Sequence, residues 1–150
     1  MLTEDWISLV VIVVCLVLSF FFSGSETALT AFSRARMLQL EKNGNARARL
    51  VNRLVETRER MIGAILAGNN VANIAASALT TGLLYAWFGD VGVLYATAIM
   101  TVIIVVFIEV LPKTIAINTP DRVALLAARP ILWLVRLLGP VLVGIEALVR

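Results

Sequence analysis

This sequence places oxygen chemistry where apolar side chains would be expected. "SGSETALT" follows "WISLVVIVVCLVLSFFF" directly, "GNNVAN" lies inside "MIGAILAGNNVANIAASALTTGLLYAWF", and "IEVLPK" closes a third apolar run. Histidine is absent, and the single cysteine, Cys15, sits in an apolar run without a partner, so no disulfide can form within the chain. The usual ligands of zinc, copper and nickel are therefore missing. A metal ion handled by these residues would be a hard cation bound through oxygen.

The spacing of the polar residues is helical. Ser19, Ser23, Glu26, Thr27 and Thr30 follow i, i+4, i+7, i+8 and i+11, which puts them on one face of a helix. Asn69, Asn70, Asn73, Ser77 and Thr81 recur in the same way in the second run, and three asparagines within five residues are costly to leave in lipid. In the third run Thr97, Thr101 and Glu109 form a line ending at "EVLPK", where Pro112 removes a backbone donor and frees carbonyl oxygens.

The elements that must position these residues are membrane helices. Sixty per cent of the 150 residues are apolar and mean hydropathy is +0.93, against roughly 45 to 50 per cent apolar usage in soluble domains. The predicted fold class is an all-α integral membrane protein forming one domain over residues 1–150. Its three spans cover about 6–30, 61–88 and 91–111, each meeting the requirement of about 20 residues for a bilayer core of roughly 30 Å. "FGDVG" joins the second and third as a tight hairpin. The tail, about 120–150, is also apolar, but Arg129, Pro130, Arg136, Gly139 and Pro140 interrupt it, which predicts short amphipathic or re-entrant helices at the interface, with a fourth full span as the alternative.

Charge sets the expected orientation. Of the 13 Lys and Arg residues, eight fall between Arg34 and Arg60 and five from Lys113 onward. Positive-inside placement makes both regions cytoplasmic in a multi-pass protein of the plasma membrane, with the N-terminus outside and the C-terminus in the cytosol. The acidic N-terminal flank, Glu4 and Asp5, and the lack of a small-residue cleavage site argue against a signal peptide. The basic stretch carries no nucleic-acid recognition motif, and Met37, Leu38, Leu40, Leu50, Val51, Leu54 and Val55 recur in it at helical spacing. It reads as two interfacial helices, about 34–59, broken at "NGN" and meeting anionic lipid headgroups.

At about 1.5 Å per residue, Asn70 lies roughly 14 Å along the second span, Ser23 roughly 26 Å along the first and Glu109 roughly 27 Å along the third. The three patches thus fall at compatible depths and could line an oxygen cavity for a cation such as Mg²⁺. Two bland alternatives stand beside this. Ser, Thr and Asn also serve as hydrogen-bonding glue between helices, and Lys113, at i+4 from Glu109, could make that carboxylate half of a salt bridge. An ionisable group inside a membrane nevertheless points to function by default.

Three motifs, "FSGSETALTAFSRAR", "ILAGNNVANIAASAL" and "IEVLPKTIAIN", in that order and at these separations, resemble the transmembrane domain of the CorC and cyclin M magnesium-transporter family. The resemblance covers essentially the whole chain. It implies a homodimer of three-span subunits with a belt of juxtamembrane helices, performing Na⁺-dependent Mg²⁺ export rather than enzymatic catalysis. It also implies Mg²⁺ ligands drawn from Ser23, Ser25, Asn70, Asn73 and Glu109, with the Gly24 and Gly68 backbones able to contribute. Family members usually continue into cytosolic CBS modules and a further C-terminal domain, so the chain is expected to be the membrane part alone. A passive Mg²⁺ channel and a non-transporting scaffold or sensor remain the competing readings.

Overall fold

A computed structural model describes residues 2–149. Met1 and Arg150, the two ends of the expected domain, lie outside the described residues. The protein is all-α, and every element follows from an apolar run or an amphipathic period. Helix α1 (Leu2–Ala31) is followed by α2 (Arg34–Lys42), α3 (Ala46–Glu56), α4 (Arg58–Phe88) and α5 (Asp90–Val102). A π-helical segment (Ile103–Val110) leads into α6 (Leu111–Asn118), and α7 (Pro120–Val149) completes the chain. The helices Thr3–Ala31, Arg58–Phe88, Asp90–Asn118 and Pro120–Val149 are each long and apolar enough to cross a bilayer. The chain is a multi-pass membrane protein.

α1 and α4 pack antiparallel, since Phe22 lies against Gly68 while Ser19, further from the C-terminal end of α1, meets Asn73. The C-terminus of α1 and the N-terminus of α4 therefore share one end of the bundle, and α2 and α3 bridge them. The Asn45 side chain caps α3 by accepting from the N–H groups of Arg47 and Ala48, and Asn52 ties α3 to α2 by donating to Glu41 at 2.7 Å. The buried core gathers at this end, with Leu29, Met37, Val51, Met61 and Ile65 fully enclosed. Towards the other end, Ile7, Val10, Val13 and Leu94 face outward, as lipid-facing side chains do.

The hairpin between α4 and α5 depends on two glycines. Gly89 adopts φ 70°, ψ −143°, a region essentially closed to other residues. A Cβ on Gly92 would stand 2.1 Å from the carbonyl oxygen of Leu84, so only a bare Cα lets α5 approach α4 this closely.

The C-terminal half departs from the expectation at two points. The helix of the third span runs on past Leu111, through Pro112 to Asn118, and the wide π turn ahead of the proline accommodates its ring and missing donor. The tail is not a set of short helices. It forms one helix, Pro120–Val149, with Pro130 and Pro140 inside it. Both prolines are exposed, so each missing hydrogen bond falls away from the face where Ala124, Ala127, Ala128 and Ile131 pack.

Length alone would let α7 cross the membrane, but its contacts bring both of its ends to the α2–α3 end. Asp121 accepts from the Ser33 N–H at 2.8 Å and from Arg36 at 3.1 Å, which fixes the start of α7 at the α1–α2 junction. Leu134 then lies against Gly68, Leu142 against Gly63, and Glu146 in a pocket with Glu56, Arg58 and Arg60 at the start of α4. α7 therefore approaches the α2–α3 end at both of its ends.

Candidate functional site

The polar stripe of α1 turns inward where it meets α4. Ser19, Ser23 and Ser25 are all buried, Glu26 and Thr27 are half-buried, and Thr30 is exposed, donating back to the carbonyls of Glu26 and Thr27. Ser25 donates to the carbonyl of Phe21 at 2.7 Å and is satisfied within its own helix. Ser19 instead reaches across the interface. Its hydroxyl lies within hydrogen-bonding distance of Oδ1 of Asn69 and 2.6 Å from Oδ1 of Asn73.

A hydroxyl carries one proton and can donate to only one acceptor at a time. The Ser19 hydroxyl and the side-chain amides of Asn69 and Asn73 thus converge at one point of the α1–α4 interface, with oxygens available to a cation. One helical turn along α1, at i+4 from Ser19, the Ser23 hydroxyl is fully buried and has no hydrogen-bond partner among the described residues. An unmet buried hydroxyl costs about 1 to 3 kcal/mol, which gives it a reason to bind something.

Of the three asparagines, the structure brings Asn69 and Asn73 to Ser19 and leaves Asn70 apart from it. Asn70 is exposed, whereas Asn69 is only 7% exposed and faces α1 with Asn73. Asn69 and Asn73 are four residues apart and share a face, while Asn70 is rotated by about 100° from Asn69. The i, i+4 spacing of Asn69 and Asn73 is visible in the sequence, whereas the helix they face is a non-local fact; Ser19 lies on the same α1 stripe as Ser23 and outside the expected ligand set.

Gly24 and Gly68 act as close-contact points. A Cβ on Gly24 would meet Pro112 at 3.6 Å, so α1 and α6 touch directly beside Ser23. A Cβ on Gly68 would meet the Phe22 ring at 3.0 Å, so this glycine holds α1 and α4 near enough for Ser19 to reach the asparagines.

Glu109 lies in the π segment, three residues before Pro112 and hence about 4 Å back along the helix. With Pro112 level with Gly24, Glu109 falls at a height between Ser19 and Ser23. Its carboxylate is 3.4 Å from the Lys113 ammonium, and the two side chains are 33% and 43% exposed. The structure thus pairs Glu109 with Lys113 and does not bring it into contact with the serine and asparagine oxygens. Nor does Glu109 continue the line of Thr97 and Thr101, which line a separate groove of about 390 Å³ with Ser77 and Thr81. No group of three His, Cys, Asp or Glu side chains assembles among the described residues, so an ion site here would draw mainly on neutral oxygens.

Residues 10–150 match the family model described as the cyclin M transmembrane N-terminal domain. Among individual proteins, the chain is 45% identical over 107 residues to the UPF0053 inner membrane protein YfjD of Escherichia coli, covering 71% of this chain and 25% of that protein. It is 35% identical over 131 residues to a UPF0053 protein of Haemophilus influenzae, covering 87% of this chain and 31% of that one. A chloroplastic DUF21 domain-containing protein of Arabidopsis thaliana is 38% identical over 133 residues, covering 87% and 20%. The chain thus spans between a fifth and a third of the length of these relatives.

Proposed function

The chain belongs to the cyclin M transmembrane domain family, and from that premise we propose that it is the membrane part of a Mg²⁺ exporter driven by Na⁺ entry. The observation that carries this reading is the convergence of the Ser19, Asn69 and Asn73 oxygens beside the unpartnered Ser23 hydroxyl. Oxygen-only ligation suits a hard cation, and Mg²⁺ in such a site keeps some of its waters. Glu109, at the matching height, supplies the negative charge once it leaves Lys113. The ammonium and the cation then compete for one carboxylate, so the ion pair is the resting state of the empty site.

Coupling follows from energetics. Moving a divalent cation out against an inside-negative potential costs about 4.6 kcal/mol per 100 mV, twice the single-charge figure. A passive pore would carry Mg²⁺ inward, so export needs a driver, and inward Na⁺ flow has the right sign. The placement of basic residues on α2, α3 and the first turns of α4 and α7 supports a cytosolic α2–α3 end in the plasma membrane. Close contact at Gly24 and the wide turn before Pro112 are where α1 and the third span can shift against one another. The homodimer remains part of this reading through the family resemblance.

The packing reading rests on the same residues. Rotating either amide would place an NH₂ group on the Ser19 oxygen and close the cluster as a hydrogen-bonded clasp. Calorimetric Mg²⁺ titration of the purified domain separates the two, followed by Mg²⁺ flux from proteoliposomes with and without a Na⁺ gradient. Saturable binding and Na⁺-dependent flux are expected. Absence of binding returns the cluster to glue, and flux that follows the Mg²⁺ gradient alone makes the protein a channel.

A further inference from the structure

α7 carries a feature that ion transport leaves unused. Opposite its buried alanines, Arg122, Arg129 and Arg136 recur every seven residues, and all three are exposed. The ion pairs among the described residues join Arg36 to Asp121 and Lys113 to Glu109, and neither engages this row. Trp133 stands between Arg129 and Arg136 on the helix surface, at i+4 from one and i−3 from the other, and is 69% exposed. Trp133 and Leu137 also form one wall of an apolar groove of about 560 Å³, whose other wall is Leu18, Phe21 and Phe22 of α1.

Leu134, in the same wall, lies against Gly68, so the groove runs up the bundle from the arginine row beside it. Arg129 and Arg136 have no ion-pair partner among the described residues, and a guanidinium at a membrane face is favoured where it reaches an anion. Arginine offers a planar fork of donors that matches a phosphate, and its apolar stem lets it reach back toward headgroup level. A basic rim on an apolar groove at one membrane face is complementary to a lipid that has both parts.

We infer that the outer face of α7 binds an anionic phospholipid, with its phosphate held by Arg129 and Arg136 beside Trp133 and one acyl chain lying in the groove between α1 and α7. Two guanidinium groups exceed the charge of one phosphate, so a headgroup with net negative charge is favoured. Phosphatidylcholine is disfavoured, because its cationic choline would meet the same arginines. The lipid would brace α7 against α1 on the side opposite the alanine face.

Tryptophan quenching in bilayers tests this directly. In the W6F/W87F protein, Trp133 is the only tryptophan, and brominated phosphatidylglycerol or brominated phosphatidylcholine is mixed into a phosphatidylcholine bilayer. Phosphatidylglycerol is expected to associate at least about threefold more strongly than phosphatidylcholine, with the preference falling to one in R129Q/R136Q. Equal quenching by both lipids would overturn the proposal in favour of ordinary annular lipid. An unchanged preference in R129Q/R136Q would equally overturn it. Failure of either lipid to quench would show that another protein surface covers Trp133. If R129Q/R136Q does not fold, ionic strength decides on the unsubstituted arginines: a preference lost in high salt supports the site, and one insensitive to salt rejects it.

Discussion

Ser19 and Asn69 meet across the α1–α4 interface although fifty residues separate them in the chain. Asn73 approaches the same hydroxyl at 2.6 Å, one turn along α4. One serine and two asparagine side chains thus converge inside the α1–α4 interface. Glycine makes the meeting possible, because Gly68 leaves room for the Phe22 ring and lets the two backbones close.

Neighbouring asparagines should therefore behave differently. Asn69→Ala removes an oxygen from the buried cluster and is expected to weaken Mg²⁺ binding at least tenfold, about 1.4 kcal/mol. Asn70→Ala changes an exposed side chain that does not reach Ser19 and is expected to leave affinity within about twofold. Titration calorimetry on the two variants reads this contrast. Equal losses in both, or a loss only in Asn70→Ala, would move the site off the α1–α4 interface.

Glu109 and Lys113 offer a sharper comparison, because their 3.4 Å pairing has opposite consequences under the two readings. If the carboxylate is an ion ligand, Glu109→Gln abolishes Na⁺-driven Mg²⁺ export and lowers affinity at least tenfold, about 1.4 kcal/mol. Lys113→Met then keeps affinity or raises it, since it removes the competitor. If the pair is only structural, each substitution strands the other charge and both destabilise the protein to a similar degree with Mg²⁺ affinity unchanged. Flux and thermal unfolding measured on the same preparations discriminate between them.

The fold class was legible because composition and helical period act locally. Sixty per cent apolar content requires lipid, and Asn43, Gly44 and Asn45 announce the break between α2 and α3 by their own turn chemistry. The site was legible only in part. Periodicity put Ser23 and Asn73 on polar faces, but the choice between Asn69 and Asn70 depends on where α1 packs, a non-local fact. The tail was misjudged for a related reason. Pro130 and Pro140 read as breaks when each is weighed by itself, yet the helix runs through both, with Ala124, Ala127, Ala128 and Ile131 buried around Pro130 and Leu142 buried beyond Pro140.

The hairpin glycines separate steric need from helix propensity. Gly92→Ala would drive a Cβ to within 2.1 Å of the Leu84 carbonyl oxygen, so it is expected to destabilise the domain by roughly 2 kcal/mol or more. Gly82→Ala, in the same hairpin, meets open space and should stabilise α4 by about 0.5 to 1 kcal/mol. Thermal unfolding in one detergent compares them. A neutral Gly92→Ala would mean that α4 and α5 are not in this close contact.

The path of α7 gives the most direct test of the architecture. Its length and apolar content would carry it across a bilayer, which would put Arg122 and Ala147 on opposite sides. Its contacts place both near the α2–α3 end: Asp121 is held by Ser33 and Arg36, and Glu146 shares a pocket with Glu56, Arg58 and Arg60. Cysteines introduced singly at Arg122 and Ala147, in a Cys15→Ala background, are both exposed positions for a membrane-impermeant maleimide. Asn45→Cys marks the α2–α3 end, and Asp90→Cys marks the hairpin. Arg122→Cys and Ala147→Cys are expected to label together with Asn45→Cys, from the side opposite to Asp90→Cys. Labelling of Ala147→Cys with Asp90→Cys would make α7 a fourth span and would require the contacts of Leu142 and Glu146 with the start of α4 to be absent in the membrane.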